Sequence, residues 1–124
     1  MNTATQNEYQ LEAEYKRWEI LLSSLKNENA FLIIKLSEAV DGKEDKEFIS
    51  KAEYFQNEFI SKDEYIRDLE KDIKGELQML YNAKDKTVSI KVLQKHEKLR
   101  NEITYLEKNF LRLKTEFDKC VQKD

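Results

Sequence analysis

The chain has 124 residues, the length of one domain, and 38% of its residues are charged while 40% are hydrophobic. It contains no proline and only two glycines, a composition typical of long helices and not of sheets that need many turns. Its 22 basic and 25 acidic residues leave a net charge of −3, so the sequence lacks the basic field that attracts phosphates, and we expect no nucleic-acid partner.

The first predicted helix runs over about residues 6–40. Its apolar side chains recur at steps of four and three residues, which places them along one face of a helix. This first seam consists of Leu11, Tyr15, Trp18, Leu22, Leu25, Asn29, Leu32, Leu36 and Ala39. Gly42 marks the end, because glycine readily adopts the left-handed conformation that closes helices. The loop, roughly Asp41 to Lys43, is so short that the next helix must return antiparallel.

The second predicted helix runs over about residues 45–82 with the same spacing. Its seam consists of Phe48, Ala52, Phe55, Phe59, Lys62, Ile66, Leu69, Ile73, Glu76 and Leu80. The segment 48–54 is closely repeated at 59–65, and each copy contains a Ser-x-x-Glu pattern typical of helix starts. The alternative structure is therefore a second helix that is broken near Ser50 or Ser61, and Gly75 is a candidate position for a kink. Because the spacing passes through both copies in phase, we expect one continuous helix.

The third predicted helix follows a turn at about Asn82–Lys86 and runs over residues 87–121. Its seam consists of Val92, His96, Leu99, Ile103, Leu106, Phe110, Leu113, Phe117 and Cys120. Three seams of similar length joined by short loops predict an all-α fold. We expect a single domain over residues 1–124, folded as an up-down-up antiparallel three-helix bundle of long, coiled-coil-like helices.

Four seam positions carry polar side chains, namely Asn29, Lys62, Glu76 and His96. A single asparagine in a core commonly fixes helix register, and a lysine can lie along the core with its ammonium in water. The antiparallel arrangement brings Glu76 and His96 to the same end of the bundle, beside Tyr15 and Trp18. A histidine held by a carboxylate near aromatic rings is a candidate site for a small ligand or a single metal ion, although a hydrogen-bonded core histidine gives the same pattern.

The sequence lacks the motifs of the common catalytic and metal sites. A di-metal site in a bundle requires Glu-x-x-His pairs from two helices, but this chain has one histidine, with Leu93 three residues before it. The segment His96–Asn101 resembles the phosphoacceptor box of sensor histidine kinases, which reads His-Glu-Leu-Arg-Thr-Pro, and this resemblance implies phosphotransfer on His96. The segment differs by the inserted Lys98 and the missing proline. We therefore expect a protein that is not an enzyme and binds no cofactor.

The single cysteine and the ends of the chain bear on location. Cys120 lies on the third seam, where we expect a buried, inert thiol. No apolar run reaches the length of a membrane span, and Met1 to Asn7 lack the charged-then-apolar order of a signal peptide. We therefore expect no membrane insertion and a cytoplasmic location.

The first helix also carries apolar residues outside its seam, at Ile20, Phe31 and Ile34. Around Phe31 the residues 30–34 are apolar on nearly all sides of the helix, and such a helix is normally covered all round. Either a tilted helix packs these side chains into its own bundle, or a second copy or another protein covers them. We expect protein association, most simply a homodimer through the first helix, with ligand or metal binding at the Glu76/His96 end as the alternative.

Overall fold

The computed structural model describes residues 3–83 and 88–122. Helix α1 runs over Thr3–Val40, α2 over Lys46–Asn82 and α3 over Ile90–Gln122. The three helices pack as the predicted all-α bundle, and the described residues include no strand. Within these ranges no helix is both long and apolar enough to cross a membrane.

The turn between α1 and α2 follows the predicted glycine signal. Gly42 has a φ of 77°, and the backbone N–H of Lys43 donates to the carbonyl of Val40 at 3.0 Å. Asp45 then caps α2, because its side chain accepts a hydrogen bond from the backbone N–H of Glu47 at 3.1 Å. The two helices are thus joined by five residues, and α2 is continuous through both repeated segments, as expected.

The start of α3 differs from the prediction. The helix begins at Ile90, because Ser89 supplies the cap: its hydroxyl accepts from the backbone N–H of Val92 at 3.2 Å. The predicted start at residue 87 and most of the predicted turn lie outside the described residues. The first helix extends slightly beyond its expected start, to Thr3.

The three seams meet in one continuous core. Its buried apolar members are Leu11, Tyr15, Trp18, Leu22, Leu25, Leu32, Leu36, Ala52, Phe55, Phe59, Ile66, Leu69, Ile73, Leu77, Leu80, Leu99, Ile103, Leu106, Phe110, Leu113 and Phe117. At one end, the ring of Phe117 packs edge-on against Phe55 and Phe59, with centroids 5.4 and 5.3 Å apart. Such aromatic pairs add to the free energy gained by removing the rings from water.

This packing corrects two predicted seam positions, Glu76 and Cys120, whereas Lys62 keeps its predicted place at the edge of the core. Leu77 replaces Glu76 in the core, because burying a leucine is favourable whereas burying a carboxylate is costly. Lys62 is half-buried and pairs with Glu58 one turn earlier, at 3.8 Å. Cys120 is half-buried and not fully enclosed, since it lies in the last turn of α3 at the end of the bundle.

Charged residues on the two flanks of α1 pair with different helices. On one flank Lys26 contacts Glu70 of α2 at 3.2 Å, and on the other Glu28 pairs with Lys114 of α3. All four side chains are partly exposed, so each ion pair contributes less than about 1 kcal/mol to the free energy of unfolding. The pairs nevertheless show which edge of α1 faces which helix.

Asn29 is the most buried polar residue of the seams. Its Nδ2 donates to the carbonyl of Phe59 across the α1–α2 contact at 2.8 Å, whereas its Oδ1 has no partner among the described residues. The amide therefore gains one hydrogen bond and loses the solvation of its oxygen. This balance explains how a polar side chain is accommodated without large stabilisation.

We expect Asn29→Ala to lower the free energy of unfolding by about 2 kcal/mol, because it removes the hydrogen bond and leaves a cavity. Asn29→Leu should be neutral or stabilising, since it fills the volume and removes the unpartnered oxygen. Urea unfolding followed by circular dichroism compares the two variants. Equal destabilisation by both would show that the amide hydrogen bond itself carries the stability.

Candidate functional site

His96 of α3 is buried against two aromatic rings of α1. The ring centroids of His96 and Trp18 are 4.7 Å apart at an interplanar angle of 30°, and Tyr15 contacts the imidazole edge-on, also at 4.7 Å. Only 3% of the histidine is exposed. The structure thus brings together three of the four predicted site residues.

The carboxylate that binds His96 comes from α1 and not from α2. Oε1 of Glu14 lies 2.5 Å from Nε2 of His96. A carboxylate only accepts hydrogen bonds, so Nε2 carries the hydrogen and donates it. The expected pair with Glu76 is wrong, because α2 turns Leu77 into the core and leaves Glu76 half-buried at the edge.

Arg100 completes the network at the edge of the α1–α3 contact. Its Nη2 donates to Oε1 of Glu14 at 2.8 Å and its Nε donates to Oε2 at 3.2 Å, an arrangement in which both carboxylate oxygens are bound. Arg100 also pairs with Glu97 on its own helix. The hydrogen bonds from Arg100 lower the pKa of Glu14 despite the opposing effect of burial, and His96 adds to the lowering.

Two buried polar atoms at this site have no partner in the described part of the chain, the hydroxyl of Tyr15 and Nδ1 of His96. Burial raises the pKa of Tyr15 to about 12, and the negative charges of Glu76 and Glu14 contribute to the increase. Glu76 is therefore close to the site and acts on Tyr15 through its charge. The phenol stays neutral over the physiological pH range.

The chemistry open to this site is limited. A shallow groove of about 240 Å³ reaches the histidine between α1 and α3 and is lined by Gln10, Leu11, Glu14, Leu93, His96, Glu97 and Arg100. Within the described residues, no group of three or more His, Cys, Asp or Glu side chains lies close enough to hold a metal ion. Phosphotransfer requires an accessible imidazole nitrogen, but His96 is buried and its Nε2 is bound to Glu14.

The second predicted site lies on the outward face of α1. Ile20, Phe31 and Ile34 are 71%, 58% and 56% exposed, so the helix is not tilted in a way that packs them into its own bundle. The ammonium of Lys35 lies 5.8 Å from the centroid of the Phe31 ring, a cation–π contact on the surface. The outward face of α1 therefore leaves three large apolar side chains uncovered by the chain's own helices.

The sequence interpretation missed Glu14 and Arg100. Glu14 precedes Tyr15 on the flank of the seam, and Arg100 stands four residues after His96, one helical turn further along α3. That spacing was the available signal, since a residue one turn from a seam histidine reaches the same edge. Comparisons with protein-family models, curated proteins and solved structures gave no match to this chain.

The depressed pKa of Glu14 makes stability depend on acid pH. A group whose pKa is lower in the folded state stabilises the fold above its unfolded pKa, about 4.5, and this contribution is lost as pH falls. We expect Glu14→Gln to lower the free energy of unfolding at pH 7 by about 1 kcal/mol and to reduce the loss between pH 5 and pH 3. Urea unfolding across this range measures both effects.

The control is Glu97→Gln, because Glu97 pairs with the same arginine from an exposed position. Its substitution should change the free energy of unfolding by less than half as much as Glu14→Gln. An acid profile of Glu14→Gln that matches the wild type would contradict the assignment.

Tyr15→Phe tests whether the hydroxyl has a partner in solution. With none, removal of the buried polar atom should leave stability at pH 7 unchanged or slightly increased. Because the pKa of Tyr15 is raised in the folded state, the pH-dependent contribution of the neutral phenol to the free energy of unfolding is complete below pH 10. This contribution is lost as the pH rises toward 12, and Tyr15→Phe should remove the loss. Thermal unfolding at pH 7 and above pH 10 measures both; a loss of about 1 kcal/mol or more at pH 7 would reveal a bound water or ligand.

Proposed function

We propose that this protein is a non-enzymatic helical bundle that acts through protein association, and that it self-associates through the outward face of α1. The observation that carries the proposal is the exposure of Ile20, Phe31 and Ile34 on one face of a helix whose opposite face is fully buried. Apolar side chains that share one exposed helix face are a feature of interaction surfaces. A helix face of this kind is a common mode of protein recognition.

The distribution of exposed apolar residues supports α1 over the other helices. The exposed apolar residues of α2, namely Tyr54, Ile60, Met79 and Tyr81, do not share one face of that helix. On α3, Tyr105 and Leu111 point to different sides, and the exposed pair Ile90 and Leu93 lies at its first turn. On α1, Ile20, Phe31 and Ile34 share one face, and Phe31 and Ile34 are adjacent on it. Covering each of these partly exposed side chains contributes less than the roughly 1.5–3 kcal/mol of burying one completely, and the lost translational and rotational freedom opposes this gain.

A second candidate function is binding of a small polar ligand beside His96. The two unpartnered atoms, the Tyr15 hydroxyl and Nδ1 of His96, favour it, and the groove between α1 and α3 approaches the histidine. Binding of a single metal ion is less supported, because Nε2 is occupied by Glu14. A loss of stability in Tyr15→Phe at pH 7 would show that the hydroxyl has a partner, which is the condition that this candidate requires and that a bound water also meets.

Self-association predicts that Phe31→Asp raises the dissociation constant at least tenfold, since a charge would have to be buried in the interface. Sedimentation velocity at concentrations from micromolar to hundreds of micromolar measures the constant. The matched control is Leu111→Asp, a substitution at a leucine that is 64% exposed on α3, and it should leave the constant unchanged.

Both variants should unfold at nearly the wild-type temperature, because both side chains are exposed in the single chain. A wild-type protein that is monomeric throughout this range would overturn self-association. An equal increase in the dissociation constant with the two substitutions would show that the interface does not lie on α1.

A further inference from the structure

The outward face of α1 repeats the spacing of its core seam. Eight exposed residues lie two positions after the successive seam residues and follow the same steps of four and three: Ala13, Arg17, Ile20, Ser24, Asn27, Phe31, Ile34 and Glu38. Two residues correspond to about 200° of rotation, so this outer stripe lies opposite the core. Half of the stripe is apolar, namely Ala13, Ile20, Phe31 and Ile34, and apolar side chains at this spacing are the pattern by which one helix packs along another.

Charge is distributed unevenly along the outer stripe. Arg17 lies near its first end and Glu38 near its last end, and both are exposed. Neither makes an ion pair within residues 3–83 and 88–122. The apolar side chains Ile20 and Ile34 lie inside these two charges, and Asn27 lies midway between them.

We infer that a second copy of the chain docks antiparallel on the outer stripe, with the two-fold axis at Asn27. This inference rests on the proposed self-association and specifies its geometry. A parallel pair would place Arg17 against Arg17 and Glu38 against Glu38, which is unfavourable. The antiparallel pair places Arg17 of each copy against Glu38 of the other.

Side-chain size agrees with the same arrangement. With Asn27 on the axis, Ile20 of one copy faces Ile34 of the other, and Phe31 lies over the small side chain of Ser24. The two Asn27 amides face each other, and an amide both donates and accepts hydrogen bonds. A polar residue at a helix contact commonly fixes register, so Asn27 would determine the alignment.

The length of the outer stripe determines the affinity that we expect for the dimer. From Ala13 to Glu38 the helix rises about 38 Å, and one helix face of this length lies at the lower end of specific interfaces. We therefore expect dissociation in the micromolar range, with a dependence on salt because of the two exposed ion pairs. Both copies keep their own three-helix core.

Disulfide cross-linking distinguishes the arrangements. In a Cys120→Ser background, Asn27→Cys should form a cross-linked dimer under oxidation, because the two positions meet at the axis. Ser24→Cys should not, because the antiparallel pair separates the two positions by about six residues, or roughly 9 Å, beyond disulfide reach. Cross-linking of both variants would indicate a parallel pair and overturn the inference, whereas cross-linking of neither would overturn the proposed self-association.

A charge exchange tests the same geometry without new thiols. We expect Arg17→Glu and Glu38→Arg each to raise the dissociation constant at least fivefold at low salt, and the double variant to restore the wild-type value. In a parallel pair the wild type, the two single variants and the double variant would all dissociate with the same constant. That result would overturn the antiparallel arrangement but not self-association. Monomeric wild-type protein would instead overturn self-association itself.

Discussion

Burial of the regular apolar stripe of α3 is the constraint on which the rest of the structure depends. Six apolar residues occupy one face of this helix and lie inside the core: Leu99, Ile103, Leu106, Phe110, Leu113 and Phe117. A single partner helix cannot cover so broad a stripe, so two antiparallel helices are required. Their matched lengths and the five-residue turn between them follow from this requirement.

Two polar residues inside this core are accommodated in different ways. Asn29 uses a backbone carbonyl of α2, which is available at every turn of a helix and needs no special neighbour. His96 requires a side chain that reaches in from the edge, and Glu14 does so with support from Arg100. The first solution fixes the position of α1 against α2, and the second links α1 to α3 through a charge that acid removes.

The fold and the grouping of Tyr15, Trp18 and His96 could be predicted from sequence because both follow from periodicity. The partner of His96 could not, because periodicity does not state on which side of α1 the third helix lies. Had α3 packed on the other flank, Glu12 and not Glu14 would face it; instead the side chain of Glu12 accepts from Tyr81 of α2. The prediction that Glu76 and not Leu77 faces the core was wrong for a related reason. Adjacent residues differ by only 100° in direction around the helix axis, and the cost of removing a carboxylate from water decides which of the two is buried.

The backbones of α1 and α2 approach one another more closely than either approaches α3. The third helix is therefore held by long side chains that bridge a wider gap, while the first two form a tight helical hairpin. Among openings that separate a whole helix from the bundle, detachment of α3 is therefore expected to break the fewest close backbone contacts, and the α1–α2 hairpin keeps its own.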